Sequence, residues 1–299
     1  MRACCDRGVD TVPHPMTRIV ALCYTTHMGI LYLVATPIGN LEDVTLRALR
    51  VLAEVVTIAA EDTRRTRKLL SHYKINTSLI SYHDHNKAAR QDQVLAALES
   101  GDVALVSDAG TPGLSDPGYE LVRAALQTGH QVSPIPGASA PIASLVASGL
   151  PTDAFVFIGY LPRRAAERRK LLASLSEESR TMVAFEAPHR MLSSLQDMQA
   201  VFGDQRNAAV CRELTKIHEE ILRNTLSDLS RHFTDNKPRG EFTLVIAGKP
   251  KGEQWQDAAV RTLLQKLVAQ GMKRSDAARQ VASQSGWTRQ QVYRLALEE

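Results

Sequence analysis

The chain has 299 residues with 36 Lys and Arg against 32 Asp and Glu, a formal net charge of +4, and 44% hydrophobic residues. That size holds two modest domains and an appendage, at roughly 100–150 residues per domain, and no apolar run approaches the roughly 18 residues of a membrane span, which predicts a soluble protein that does not engage a membrane. A surplus this small permits an anionic partner without requiring one, so the placement of the charge carries the information.

Residues 1–27 lack periodicity, and the apolar piece at 19–24 is too short for an export-signal core. They read as an upstream extension, disordered or a misassigned start, ahead of Met28. Cys4, Cys5 and Cys23 fall there, Cys211 stands alone in a predicted strand, and no CxxC or CxxH pair occurs. Neither a zinc site nor a disulfide framework is suggested, and a reducing cytoplasmic compartment follows.

From Leu31 short β-branched runs alternate with amphipathic stretches, the pattern of strands crossing over through helices into a parallel sheet. Strands are predicted at 31–36, 55–60, 78–82, 103–107 and 131–135, with helices at 44–53, 63–72, 87–99, 117–128 and 139–148 packing one face on that sheet. This first domain, 28–149, closes near Gly149. A second α/β domain, 150–248, starts at a Leu-Pro linker, with strands at 154–158, 180–185, 207–212 and 241–247 and helices near 164–175, 189–202 and 225–233; its sheet is expected to be mixed. After a Gly-Lys-Pro-Lys-Gly linker, residues 255–299 carry apolar spacing for three short helices, with a Gly and a Thr N-cap in SGWTRQQ preceding the last. This tail resembles a helix-turn-helix.

Glycine-containing turns follow three strands of the first domain: TPIGN at 36–40, SDAGTP at 107–112 and PGASA at 136–140. Ligands of open α/β sheets bind at the carboxyl ends of strands, where small residues let backbone groups approach closely; any one of these turns alone could be a simple strand-to-helix connection. Neither GxGxxG nor GxxxxGK[ST] is present, so the expected ligand lacks a phosphate chain.

TPIGN, AAEDTRRT at 59–66, HDHN at 83–86, VSDAGTP at 106–112, FEAPHR at 185–190 and CRELTK at 211–216 together resemble one family, from about Leu31 to Gly248 in a single register. The chain is similar to the ribosomal RNA small subunit methyltransferase I family, within the tetrapyrrole methylase superfamily. The resemblance implies an α/β, two-domain, class III S-adenosylmethionine methyltransferase with a small C-terminal helical piece. It implies 2′-O-methylation of a cytidine in the decoding region of 16S ribosomal RNA, free or in the small subunit, and a homodimer. Porphyrin-modifying relatives carry a GGDP-like turn where this chain has SDAGTP, which favours the RNA branch.

Carried over onto this chain, the S-adenosylmethionine cleft includes Pro37, Asp108, Ala109, Gly110, Thr111, Ser139 and Ala140, with Phe185 as a wall. No metal is called for, because methyl transfer from a sulfonium depends mainly on holding the nucleophile close and in line. A ribose hydroxyl is a weak nucleophile that a carboxylate or imidazole would assist. Asp62 is the candidate base, its alternative being a cap for the helix that starts near Thr63, and Glu213 is the reserve. Glu186 with Arg190, or Glu213 with Arg212, could equally be ion pairs. His83 and His85 lack a third metal ligand and are read as shaping the substrate mouth or capping a helix at Asn86.

Arg64 and Arg65 could meet a phosphate, as could Arg190 and the run LPRRAAERRK at 161–170 with Arg163, Arg164, Arg168, Arg169 and Lys170, although such a run can also be a solvated helix face. The tail holds a second positive excess, and with aromatics at 5% extensive base stacking is not indicated. Two other readings remain open: a methylase of a tetrapyrrole or protein side chain on the same scaffold, and a non-catalytic RNA-binding assembly factor.

Overall fold

The computed structural model describes residues 28–83, 87–250 and 255–298. The first five strands are β1 (Ile30–Val34), β2 (Thr57–Ala60), β3 (Leu79–Ser81), β4 (Val103–Val106) and β5 (Gln131–Ile135), all parallel in the order β3-β2-β4-β1-β5. The interleaved helices are α1 (Leu46–Glu54), α2 (Thr63–His72), α3 (Lys87–Ser100), α4 (Tyr119–Gln127) and α5 (Ala140–Ala147). β2 and β4 are buried at every position, because helices cover both faces of a parallel sheet. One face packs Val51, Leu52 and Leu70 from α1 and α2, and the other Val94, Leu98 and Leu121 from α3 and α4.

The predicted helix at 139–148 forms, but it does not pack on the first sheet. α5 lies across the second sheet, where Leu145 meets Val183, Ala209 and Val245. Its sequence, APIASLVA, is apolar almost all round, so it can bury a face against either sheet. The first domain thus reaches into the second through this helix.

The second sheet is mixed, as predicted, in the order β6 (Phe155–Tyr160), β7 (Thr181–Glu186), β10 (Phe242–Ile246), β8 (Asn207–Arg212) and β9 (Glu220–Thr225). β6 runs parallel to β7, and the other pairs are antiparallel. Alternate residues divide its faces: Met182, Ala184, Val210 and Leu244 pack against α6 (Ala165–Ser174), α7 (Met191–Phe202) and α8 (Leu226–Asp235), while Val183, Ala209 and Val245 take α5. Strand β9 was not predicted. Its sequence, EILRNT, lacks an apolar period because it is an edge strand with no fully buried position.

The tail forms α9 (Asp257–Ala269), α10 (Arg274–Ser285) and α11 (Arg289–Glu298), with Val260, Leu264, Ala278, Val281 and Val292 in a core of its own. Gly286 ends α10 at φ 70°, and Thr288 and Gln291 form a reciprocal capping box ahead of α11, as the SGWTRQQ turn foretold. No described helix is long and apolar enough to cross a membrane. The extension 1–27 lies outside the described residues.

Arg168 departs from its sequence reading. It is buried on the inner face of α6, and its guanidinium is fixed by Asp197 of α7 at 2.6 Å. The residue therefore ties α6 to α7 and offers nothing to a phosphate. Asp197→Ala would strand that buried cation without a counter-charge, at a cost of about 3–5 kcal/mol; a urea denaturation curve should show this loss.

Candidate active site

The three glycine-containing turns meet at the carboxyl edge of the first sheet. Thr36 N–H donates to the Gly110 carbonyl at 2.9 Å, and Gly110 N–H donates back to the Thr36 carbonyl at 3.0 Å. Gly110 sits at φ 80°, the left-handed region that disfavours side chains. A Cβ there would stand 3.4 Å from Ile38 Cγ2 and 3.7 Å from the Ala138 carbonyl, so all three turns touch at this residue. Thr111 Oγ1 adds a bond to the Ala138 carbonyl at 3.4 Å.

Facing these turns are the ends of the second sheet's strands, and the cleft between them has a volume of about 380 Å³, within the range of small-molecule sites. Asp108, Ala109, Gly110, Thr111, Ser139, Ala140 and Phe185 all line it. Pro37 lies to one side, in an adjoining depression of about 170 Å³, and Ile38 takes the place in the cleft that Pro37 was expected to hold. Phe185 belongs to an aromatic row, with ring centroids 5.3 Å from Phe157 and 5.2 Å from Tyr160. The cleft closes where TPIGN touches CRELTK: a Cβ on Gly39 would fall 2.4 Å from Lys216 Cγ and 2.9 Å from the Leu214 carbonyl.

Carboxylates dominate the lining, with Glu61, Asp108, Asp116, Glu186 and Glu241 against Arg65. Glu61 Oε2 accepts the Asp108 N–H at 3.1 Å, Asp108 Oδ1 accepts the Asp62 N–H at 3.0 Å, and Arg65 stands 3.4 Å from Asp108. The ends of β2 and β4 are thereby locked to each other. Glu186 is buried, bonded to the Ala187 N–H at 2.7 Å, to Arg190 at 2.6 Å and to the Ser194 hydroxyl. Burial, aided by the negative charges of Glu241 and Asp116, pushes the Tyr160 phenol up from its ordinary value.

Neither carboxylate expected as base lines this cleft. Asp62 Oδ1 caps α2 by accepting the Arg64 N–H at 2.8 Å, and the Arg64 guanidinium closes on it at 2.7 Å. Those side-chain hydrogen bonds hold the Asp62 carboxyl well below the usual range, which makes it a poor proton acceptor. Glu213 sits at φ 49° and accepts from Lys216 Nζ and the Glu241 N–H, both at 2.9 Å, against Gly240. The bond from Lys216 lowers its carboxyl. It shapes the CRELTK turn.

Of the basic candidates, Arg163, Arg164 and Arg169 are exposed, the last two pairing with Glu167 and Asp197. Arg190 turns inward to Glu186 and to the Leu161 carbonyl, and Arg64 is engaged by Asp62. His83 follows β3, while Asp84, His85 and Asn86 lie outside the described residues. Sequence reading places Glu61 beside Asp62 at this sheet edge but chooses Asp62, and it misses Asp116, Tyr160 and Glu241. For Glu61 the signal was present, since β2 directs alternate side chains to opposite faces and adjacent acids at its end cannot both face the cleft. Tyr160 was hidden by a register shift between Phe157 and Gly159, the latter at φ 75°, past which β6 continues beyond the predicted end at 158.

Residues 30–230 match the Tetrapyrrole (Corrin/Porphyrin) Methylases family. The chain is 52% identical over 274 residues to ribosomal RNA small subunit methyltransferase I of Synechocystis sp., spanning 91% of this chain and 98% of that protein. It is 45% identical over 277 residues to the protein of that name from Halalkalibacterium halodurans, spanning 91% and 96%.

The chain belongs to the ribosomal RNA small subunit methyltransferase I family.

Outside this methyltransferase family the fold recurs in uroporphyrin-III C-methyltransferase of Thermus thermophilus complexed with S-adenyl homocysteine. That match has a TM-score of 0.52 and 19% identity and covers 73% of this chain and 97% of that one.

Cys211 also lines the cleft, where burial pushes its thiol up to about 11. Because the thiolate is the reactive form, Cys211 should resist iodoacetamide near pH 8 in the native protein and label after unfolding. Mass-spectrometric mapping of labelled cysteines checks this.

Proposed function

We propose that this chain transfers the methyl group of S-adenosylmethionine to the ribose 2′-hydroxyl of a cytidine in the decoding region of 16S ribosomal RNA, in the cytoplasm and as a homodimer. The observation that carries the reading is the cleft itself, which is lined by three turns joined at Gly110 and by five carboxylates. The residues present fit the methyl donor. Close backbone approach suits its polar amino-acid end, Phe185 offers a face for its adenine, and the carboxylates complement a sulfonium cation. When bound, this donor supplies an electrophilic methyl carbon.

Asp108 to Thr111, Ser139 and Ala140 bind and orient the donor in this scheme, while Phe185 walls it from water. Glu61 is assigned the proton-accepting role, since its carboxylate lines the cleft at the end of β2. The ribose oxygen forms its bond to the methyl carbon as the carbon–sulfur bond breaks, and Glu61 receives the hydroxyl proton. Arg163, Arg164 and Arg169, exposed around the start of α6, supply cations for RNA phosphates. Asp62 acts indirectly, through the cap it provides.

The test is to incubate the protein with methyl-labelled donor and, separately, unmethylated small subunits, free 16S RNA and a tetrapyrrole precursor, and to map the label. Label on an RNA ribose supports the reading; label on the tetrapyrrole, or none with the donor still bound, overturns it. With the RNA acceptor, Glu61→Gln should lower kcat about 10²-fold and leave donor affinity unchanged by calorimetry, whereas Asp62→Asn should stay within a few-fold of wild type.

Dimerisation draws support from exposed apolar side chains, Tyr119 and Leu126 on α4 and Ile142 and Val146 on α5, of the kind that association covers. Light scattering should give twice the 32.9 kDa chain mass. A monomer at micromolar concentration would remove this part of the proposal.

A further inference from the structure

The charges at the carboxyl edge divide unequally across the Thr36–Gly110 bridge. On one side is the cleft, with Glu61, Asp108, Asp116, Glu186 and Glu241 against Arg65. On the other is the smaller depression, between the loop after β1 and α2, lined by Thr36, Pro37, Leu41, Arg65, Lys68 and Asp108 among others. The two cavities share Arg65 and Asp108.

A polyanion therefore meets opposite conditions on the two sides. The cleft sets five carboxylates against Arg65, and even with Glu186 paired to Arg190 and Glu241 to Lys216 the excess repels a phosphodiester. The depression instead sets two cations against one carboxylate, Asp108, which faces Arg65 and leaves Lys68 as the surplus charge. α2 contributes both cations one turn apart, at i and i+3, so they stand on the same face. Lys68 is exposed on that face. The start of α2 is not the attracting feature, since Asp62 already caps it.

We propose that this depression is the seat of a backbone phosphate flanking the target ribose, held by Lys68 and Arg65. The acceptor's sugar then stands at the shared rim beside Asp108, and the phosphates never enter the acidic cleft. This rests on the methyl-transfer reading above, and it makes Lys68 a positioning residue for the RNA with no role toward the donor.

The experiment compares wild type with Lys68→Ala, Lys68→Glu and Lys68→Arg in the full chain, measuring kcat and KM for the RNA acceptor that the labelling experiment identifies. It adds donor affinity by calorimetry and the salt dependence of RNA binding. Lys68→Ala should raise KM about tenfold, with kcat and donor affinity within twofold, and should reduce the slope of log K against log salt by about 0.7, the loss of one single-strand phosphate contact. Lys68→Glu should exceed it, and Lys68→Arg should restore most of the affinity. An unchanged KM and salt slope in Lys68→Ala overturns the subsite while leaving the methyltransferase reading intact, as does a parallel loss of donor affinity. A wild-type chain that transfers no methyl to RNA overturns both.

Discussion

Two backbone hydrogen bonds between Thr36 and Gly110 hold together the edge on which everything else is built. They join the loops that follow β1 and β4, neighbours at the centre of the first sheet, and they require a residue at φ 80° whose Cβ would crowd Ile38. Glycine meets that requirement without steric cost. The loop after β5 is drawn to the same point through the Ala138 carbonyl. Once these turns are fixed, Ala109, Gly110 and Thr111 line the cleft opposite the second domain, and the bridge lies between a mainly acidic cleft and a depression with two cations.

The second domain completes the site through two contacts of different kinds. α5 leaves its own sheet and buries Leu145 on the partner sheet, an apolar contact that sets the distance between the domains. The Gly39 approach to Lys216 and Leu214 is steric, a place where backbone meets turn with no room for a methyl group. Between them, Phe185, Tyr160 and the buried Glu186 form the opposite wall, with Phe157 packed against Phe185.

Charged residues in this molecule sort by whether they reach a cavity wall or are held away from it. Asp62, Glu213, Arg168 and Arg190 look chemically available in the sequence, yet each is held at short range by Arg64, Lys216, Asp197 and Glu186 respectively. A carboxylate that accepts several hydrogen bonds from cations and amides binds a proton poorly, and a guanidinium buried on a carboxylate has no face left for a phosphate. Glu61, Arg65 and Lys68 line the cavities themselves, Glu61 while accepting the Asp108 N–H and Arg65 while facing Asp108, and this placement at the cavity walls is why function is assigned to them.

The sequence by itself determined the parallel first sheet, the mixed second sheet, the three-helix tail with its Thr288 N-cap, and the turns that line the cleft. Each is written in local features, namely apolar period, strand length, and glycine at a strand end, which act over a few residues and need no partner to be read. Tertiary structure alone decided that α5 crosses to the second sheet, that EILRNT pairs as an edge strand, and that Glu61 rather than Asp62 reaches the cleft. Those outcomes depend on contacts between residues far apart in the chain, such as Arg168 with Asp197 or Gly39 with Lys216. Neither composition nor spacing records which of two adjacent acids will face a cleft assembled from distant strands.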